Sequence, residues 1–274
     1  MTTLQLTKHH GLGNDFLVLF DHVPNEAPFE IDDPAGLARR LCDRRRGIGA
    51  DGLLIGSGNI EGYAARMVLF NADGSRAEMS GNGIRCFSQA LAARRGDLST
   101  QRILTDAGDR LVTLVATDDP ATIEASVSMG AVVSIDEPDG WDALGCHPDR
   151  PVVHLSLGNP HSVVGVDDVS EADLALLGSK VPGVNLELVA PTSTPDTIRM
   201  RVHERGAGVT EACGTGACAA AHAAAAWGLA TPTDGKLIVQ MDGGRATVEL
   251  DAPNPGEVTL TGQATFVGSI EIEL

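Results

Sequence analysis

Residues 75–86 read SRAEMSGNGIRC, and residues 208–219 read GVTEACGTGACA. Set one over the other, Glu78 meets Glu211, Ser80 meets Cys213, Gly81 meets Gly214 and Gly83 meets Gly216. The offset is 133 residues (213 − 80), close to half of the 274-residue chain. A device repeated at that distance constrains the fold more than any bulk property. It favours two similar lobes over one large domain. Each copy leads into a helix-like run containing alanine, and eight of the eleven residues at 217–227 are alanine. Such small side chains let a sheet approach a buried helix closely.

The rest of the chain supports the doubling. Residues 4–7 and 15–20 predict short strands around the turn HHGLGN, and 34–46 predict a helix with Pro34 near its start. DGLLIGSG and ARMVLFNADG are expected strands, and 81–95 a first central helix. QRILTDAG, RLVTLVAT and ATIEASVSMG return to apolar alternation at every second residue. The order then restarts. PVVHLSLGNPHSVVGV predicts a strand pair, 170–178 a short helix capped by Ser170, and VNLELVA and TIRMRVHERGAG further strands. A second central helix is expected over 214–228, followed by four closing strands. The polar stretch 134–150 is expected to be an ordered connection between lobes. The class is α+β: two pseudo-symmetric lobes, each an antiparallel sheet wrapped around a central helix. The expected boundaries are 1–128 plus 264–274 for the N-terminal lobe and 129–263 for the C-terminal lobe.

Composition removes whole classes of function. The net charge of −17 is unsuited to nucleic acid or an anionic membrane surface, both of which call for clustered Lys and Arg. A small molecule is the expected partner. No apolar run reaches the length of a membrane span, and the first sixteen residues carry no signal-peptide pattern. The five cysteines (Cys42, Cys86, Cys146, Cys213 and Cys218) are scattered without CxxC spacing. That odd, scattered set argues against a disulfide framework or a zinc knuckle and fits a reducing cytoplasm.

The chemistry points to the two helix starts. A helix N-terminus exposes N–H groups and positive partial charge, so it can bind a carboxylate. The same field is expected to lower the pKa of the Cys213 thiol. Serine is an ordinary cap, so Ser80 alone reads as structural; cysteine is not a preferred cap. Two such starts, each with an acid/base group, suit removal of an α-proton from one face of a carbon and its return to the other. Only three lysines are present (Lys8, Lys180 and Lys236), each readable as a solvated lysine, so no pyridoxal cofactor is expected. GTGACA fits a loose dinucleotide pattern, but its duplicate GNGIRC does not. Cys213 with His161 could also form a hydrolase pair, a reading that leaves the repeat unexplained.

HGLGNDF, FNADGSRAEMSGNGIRCF, LGNPHSVV, VNLELV and ERGAGVTEACGTGACAAA occur in this order between His10 and Ala221. Together they resemble diaminopimelate epimerase, a cofactor-independent family of the proline-racemase-like group. The resemblance implies two lobes with the active site in the cleft between them, a homodimer, and interconversion of LL- and meso-diaminopimelate for lysine and cell-wall synthesis. It implies that Cys213 is one catalytic thiol, that Glu204 and His161 act beside it, and that no metal is used. Gly81, Asn82, Gly214 and Thr215 would hold the reacting carboxylate. Asn14, Asn71, Asn159, Asn185, Glu204 and Arg205 would bind the amino and carboxylate groups. The departure is Ser80, where the family's pattern has its second catalytic cysteine. Cys86, six residues on, is expected in the core. A second departure is Gly52, where some members carry a substrate-contacting glutamine. Ser80 leaves three readings open: an engineered replacement of the cysteine, a natural Ser/Cys pair that still epimerises, or a changed reaction such as one-sided exchange or elimination. The rival functions are a related amino-acid racemase or dehydratase, and an impaired epimerase that only binds substrate.

Overall fold

The computed structural model describes residues 3–21, 31–58 and 60–273. They form two units, one comprising positions up to 127 with those from 262 onward, the other comprising 128–261.

The first unit opens with a hairpin of β1 (Thr3–Gly11) and β2 (Asn14–Phe20). Leu12 and Gly13 both take positive φ, 57° and 85°, as a two-residue primed turn requires. That turn sets Asn14 opposite Gly11 at the strand's first position. Helix α1 (Pro34–Cys42) starts at Asp33, whose carboxylate accepts from Gly36 N. It carries the chain over to β3 (Gly52–Ser57), which lies parallel to β2. Then come β4 (Ala65–Asn71), the short β5 (Arg76–Ala77) and α2 (Gly81–Arg95). The first twelve residues of α2 are all buried, so it has no solvent face until its last turn. It stops at Gly96, at φ 73°. Strands β6 (Gln101–Thr105), β7 (Gly108–Ala116) and β8 (Thr122–Ala131) follow, with β6 parallel to β4.

The second unit repeats this order after the two-residue β9 (Val133–Ser134). A hairpin of β10 (Val152–Ser156) and β11 (Pro160–Gly165) leads into α3 (Leu174–Lys180). Strand β12 (Asn185–Pro191) lies parallel to β11, as β3 does to β2. Next come β13 (Thr197–Glu204), β14 (Gly208–Thr210) and α4 (Gly214–Ala226). Strand β15 (Lys236–Met241) lies parallel to β13, followed by β16 (Gly244–Leu250) and β17 (Glu257–Glu273). The start of β17 pairs with β16, and its end pairs with β1 in the first unit. From β3 to the central helix the repeat runs without a gap. Gly52 and Asn185 open equivalent strands, Asn71 and Glu204 close the next, and Ser80 and Cys213 precede the helices, always 133 apart.

Several details depart from the sequence expectation. The sheets are not wholly antiparallel: each unit has two parallel pairings, because a helix crosses over between the paired strands. The first helix ends at Cys42 rather than 46, and α4 ends at Ala226 rather than 228. The short helix begins at Leu174 under Asp173; Ser170 instead donates its hydroxyl to Asp168. The stretch 134–150 belongs to the second unit rather than connecting lobes. Its Trp141 packs with Val164, Leu174, Leu186 and Leu188 in that unit's core.

Candidate active site

Ser80 and Cys213 stand immediately before α2 and α4, in extended backbone, and each side chain caps its helix. Ser80 Oγ accepts from Gly83 N at 2.9 Å, and Cys213 Sγ accepts from Gly216 N at 3.3 Å. The cap carbonyls take the next N–H groups, those of Ile84 and Ala217, both at 2.9 Å. The two N–H groups ahead of these belong to Gly81 and Asn82 in one helix and to Gly214 and Thr215 in the other. A carboxylate brought to either start would meet oriented N–H dipoles.

In the second unit a continuous hydrogen-bonded chain leads away from the thiol. Cys213 Sγ lies 3.5 Å from Thr215 Oγ1, and Asn159 Nδ2 donates to Thr215 Oγ1 at 3.2 Å. Asn159 Oδ1 meets His161 Nε2 at 3.1 Å, and His161 Nδ1 meets Glu187 Oε1 at 2.6 Å. His161 and Glu187 are both fully buried. Both ring nitrogens are therefore occupied, and the histidine reaches the thiol only through Asn159 and Thr215. The direct Cys–His pair of a hydrolase is absent here. Around this chain, Asn185 Nδ2 donates to Pro160 O at 3.1 Å and Asn185 Oδ1 accepts from Arg205 N at 2.8 Å. Glu204 Oε1 accepts from Thr210 Oγ1 at 2.5 Å.

The first unit builds its helix start differently. Asn82 Nδ2 donates to Asn14 Oδ1 at 3.1 Å, and Asn14 Nδ2 donates to Asp51 Oδ2 at 2.7 Å. Beneath them Arg85, fully buried, donates to Gly81 O at 3.0 Å and to Asn82 Oδ1 at 2.6 Å. Asp15 and Asp51 share Arg44 at 2.7 and 2.8 Å, and Lys8 reaches Asp15 at 2.9 Å. Asn71, half-buried at the end of β4, donates to Ser75 Oγ. At Gly52 a Cβ would come within 2.9 Å of Phe70 O, so the backbone there is closed to a larger residue without movement.

The expected lowering of the Cys213 thiol is reversed. Burial pushes it well above the ordinary thiol value, and the carboxylates of Glu204 and Glu187 push the same way. The bonds from Thr215 and Gly216 pull down and lose. The net shift favours the protonated thiol over the thiolate near neutral pH. Burial likewise raises the Glu187 carboxyl, with His161 opposing. Cys86 is a fully buried core residue of α2, as expected, with its thiol pushed to about 12 by burial.

Two features of the site carry little signal in the sequence. Glu187 shows there only as one charged residue inside the apolar strand NLELV, and Arg85 only as a polar letter in a helix. The three lysines have structural partners: Lys8 with Asp15, Lys180 with Ala143 O, and Lys236 with Glu249.

The chain matches the family model described as diaminopimelate epimerase over residues 6–135 and 153–267. The chain belongs to the diaminopimelate epimerase family. The family's curated members include the diaminopimelate epimerase of Synechococcus elongatus, 35% identical over 295 residues, covering 98% of this chain and 99% of that protein. That of Bacteroides thetaiotaomicron is 36% identical over 281 residues, covering 99% of each. Among solved structures, a PhzF-family phenazine biosynthesis protein of Bacillus anthracis aligns over all of both chains with a TM-score of 0.76 at 16% identity. A probable proline racemase from Agrobacterium radiobacter aligns with a TM-score of 0.71 at 18% identity, over 99% of this chain and 93% of that one. These likenesses concern the fold alone, which this chain shares with both. Among the described residues no helix is long and apolar enough to cross a membrane.

Proposed function

We propose that this member of the family interconverts LL- and meso-diaminopimelate, with Cys213 and Ser80 exchanging protons at one α-carbon. The observation that carries this reading is the pair of matched caps on glycine-flanked helices. Each presents a side-chain acid/base group next to backbone N–H donors, 133 residues apart in a repeated fold. The difficulty of the reaction is the weak acidity of an amino-acid α-proton. Oriented N–H groups at Gly81, Asn82, Gly214 and Thr215 would stabilise the charge that develops on the carboxylate as that proton leaves. Glu204 favours the substrate ammonium, and the guanidinium of Arg205 suits a carboxylate in a two-pronged bond. Asn14, Asn71, Asn159 and Asn185 complete the polar lining, and His161 supports the Cys213 side.

Cys213, held as a thiol, is suited to deliver a proton. Ser80 is the weaker partner, because a hydroxyl is far less acidic than a thiol, whose reference value is about 8.5. The reading therefore predicts a slow enzyme. The family resemblance further supports a homodimer working in the cytoplasm.

The test is α-proton exchange in heavy water, followed by NMR with LL- and meso-diaminopimelate supplied separately. Exchange and interconversion of both isomers supports Ser80 as the second acid/base. Exchange of one isomer alone, with interconversion regained by Ser80→Cys, means a protein that binds substrate and works on one face. No exchange by either protein rejects the substrate.

A further inference from the structure

The two repeats differ at a buried position beside the central helix. Counting back 133 residues from Glu187 gives Leu54, a fully buried leucine in β3. The two occupy the same place relative to the helix start. A Cβ added to Gly83 would meet Leu54 Cδ2 at 3.4 Å, and one added to Gly216 would meet Glu187 Oε1 at 2.7 Å. One repeat fills this spot with hydrocarbon. The other puts a carboxylate there, with no exposure to solvent.

A buried carboxylate is costly unless it is paired. Glu187 is held by His161 Nδ1 at 2.6 Å, and its second oxygen, Oε2, is buried with no hydrogen-bond partner among the described residues. The histidine's other nitrogen faces an acceptor, Asn159 Oδ1, while Asn159 Nδ2 is taken up by Thr215 Oγ1. Two hydrogen bonds at one imidazole, both to oxygen acceptors, require two protons on the His161–Glu187 pair. The pair is then neutral overall, whichever member holds the shared proton. Replacing Glu187 by leucine would leave a lone buried imidazole free to turn its ring or change tautomer.

We infer that Glu187 is a positioning residue for the reaction proposed above: it fixes the ring and tautomer of His161, and through Asn159 and Thr215 the direction of the Cys213 thiol. This inference rests on that functional reading. The groups facing Glu187 are His161 on β11, Glu204 on β13 and Cys213 before α4, and its own strand contributes no other titratable side chain. Glu204 Oε1 accepts from Thr210 Oγ1, and Glu187 Oε1 meets His161 Nδ1 at 2.6 Å. Glu187 is fully buried behind this relay and makes no substrate contact of its own, so the larger loss falls on the chemical step, with a smaller one in binding through Asn159 and Thr215. A misdirected acid/base group costs about 100-fold in rate.

The test uses the full chain with Glu187→Gln, which keeps size and one hydrogen bond, and Glu187→Leu, which copies the other repeat. Steady-state rates with each diaminopimelate isomer are paired with proton NMR of the His161 ring. Expected is a low-field Nδ1 proton resonance in the parent that is lost in both variants. With it, kcat falls about 100-fold while KM changes less than threefold. Glu187→Gln should keep more activity than Glu187→Leu. A Gln variant with unchanged kcat, or one whose loss lies wholly in KM, overturns the inference while the function stands. A parent that exchanges no α-proton overturns the function, and this positioning role with it. Thermal melting of each variant separates a fold defect: a kcat loss accompanied by partial unfolding, with the His161 resonance retained in the folded fraction, also counts against the inference.

Discussion

Ser80 and Cys213 have the same backbone conformation, φ/ψ of −139°/122° and −129°/118°, and each accepts from the N–H three residues on. The repeat thus preserves the geometry of the position while exchanging oxygen for sulfur. The environments differ more than the geometry does. Ser80 is half-buried, whereas Cys213 is buried beside two carboxylates.

The first prediction follows from that exchange. Ser80→Cys places a thiol, intrinsically more acidic than a hydroxyl, at a position already shaped to cap the helix. It is expected to raise kcat for epimerisation by about 100-fold, within the range of a well-placed acid/base group. Ser80→Ala should reduce interconversion to background while leaving only slow exchange with the isomer that faces Cys213, carried by the small thiolate fraction and growing as pH rises. Rates from circular dichroism, together with deuterium incorporation, check both. Equal activity in Ser80→Ala and the parent would remove Ser80 from the chemistry.

Cys213 gives a prediction about pH. Its thiol is raised by burial, then by Glu204 and Glu187, so the thiolate is scarce at neutral pH and grows only as pH climbs past the usual thiol range. Alkylation of the Cys213 peptide by iodoacetamide, read by mass spectrometry, should therefore be slow at pH 7 and still rising above pH 9. Glu204→Gln removes one negative neighbour, which favours thiolate and moves the curve to lower pH. A shift to higher pH would mean that Glu204 stabilises the thiolate, contrary to its charge.

Much of the fold was legible because the repeat is local. The span 81–95 is the helix Gly81–Arg95 because serine, glycine and a run without prolines act within the segment. Parallel pairing of β2 with β3 and of β13 with β15 was not legible, since alternation in one strand says nothing about its neighbour's direction. The same limit explains Cys213. The helix-start rule is read from the local sequence, while its reversal comes from burial in the packed fold, with the carboxylates of Glu204 and Glu187 on other strands adding to it. Glu187 itself sits in a strand buried on both faces, where a lone charge has no periodicity to expose it. The asparagines were more readable: Asn14 follows a turn whose geometry the glycines announce.

Arg85 yields a stability prediction. Its guanidinium serves Gly81 O, Asn82 Oδ1 and Gln263 O, the last at 3.3 Å, with no solvent to replace it. Arg85→Met leaves these acceptors buried without their donor. Each unmade bond costs on the order of 1–3 kcal/mol, so about 3 kcal/mol is expected overall. That corresponds to a fall in Tm of roughly 10 °C by calorimetry. Arg85→Lys should not recover it, because one ammonium nitrogen cannot stand at all three places from which Nε, Nη1 and Nη2 reach their acceptors. Full stability in Arg85→Lys would show that charge alone is needed.

The two glycines three residues beyond the caps should answer differently to alanine. A Cβ at Gly83 meets Ser80 Cβ at 3.0 Å, Ser80 Oγ at 3.2 Å and Leu54 Cδ2 at 3.4 Å, contacts that shifts of a few tenths of an ångström relieve. Alanine also gains up to about 1 kcal/mol of helix propensity over glycine, so Gly83→Ala should change stability little. At Gly216 the Cβ would come within 2.7 Å of Glu187 Oε1 and 3.2 Å of Cys213 Sγ. The carboxylate cannot retreat without giving up His161, and the thiol cannot without leaving its cap on Gly216 N. Overpacking of this kind costs about 1–3 kcal/mol. Gly216→Ala should therefore lower Tm and cut kcat by about 100-fold, because the displaced groups are those that carry and direct the proton. Paired melting curves and rates for the two variants decide it. Equal tolerance at both positions would mean that the carboxylate beside α4 has room to move, and the close packing argued for Glu187 would not stand.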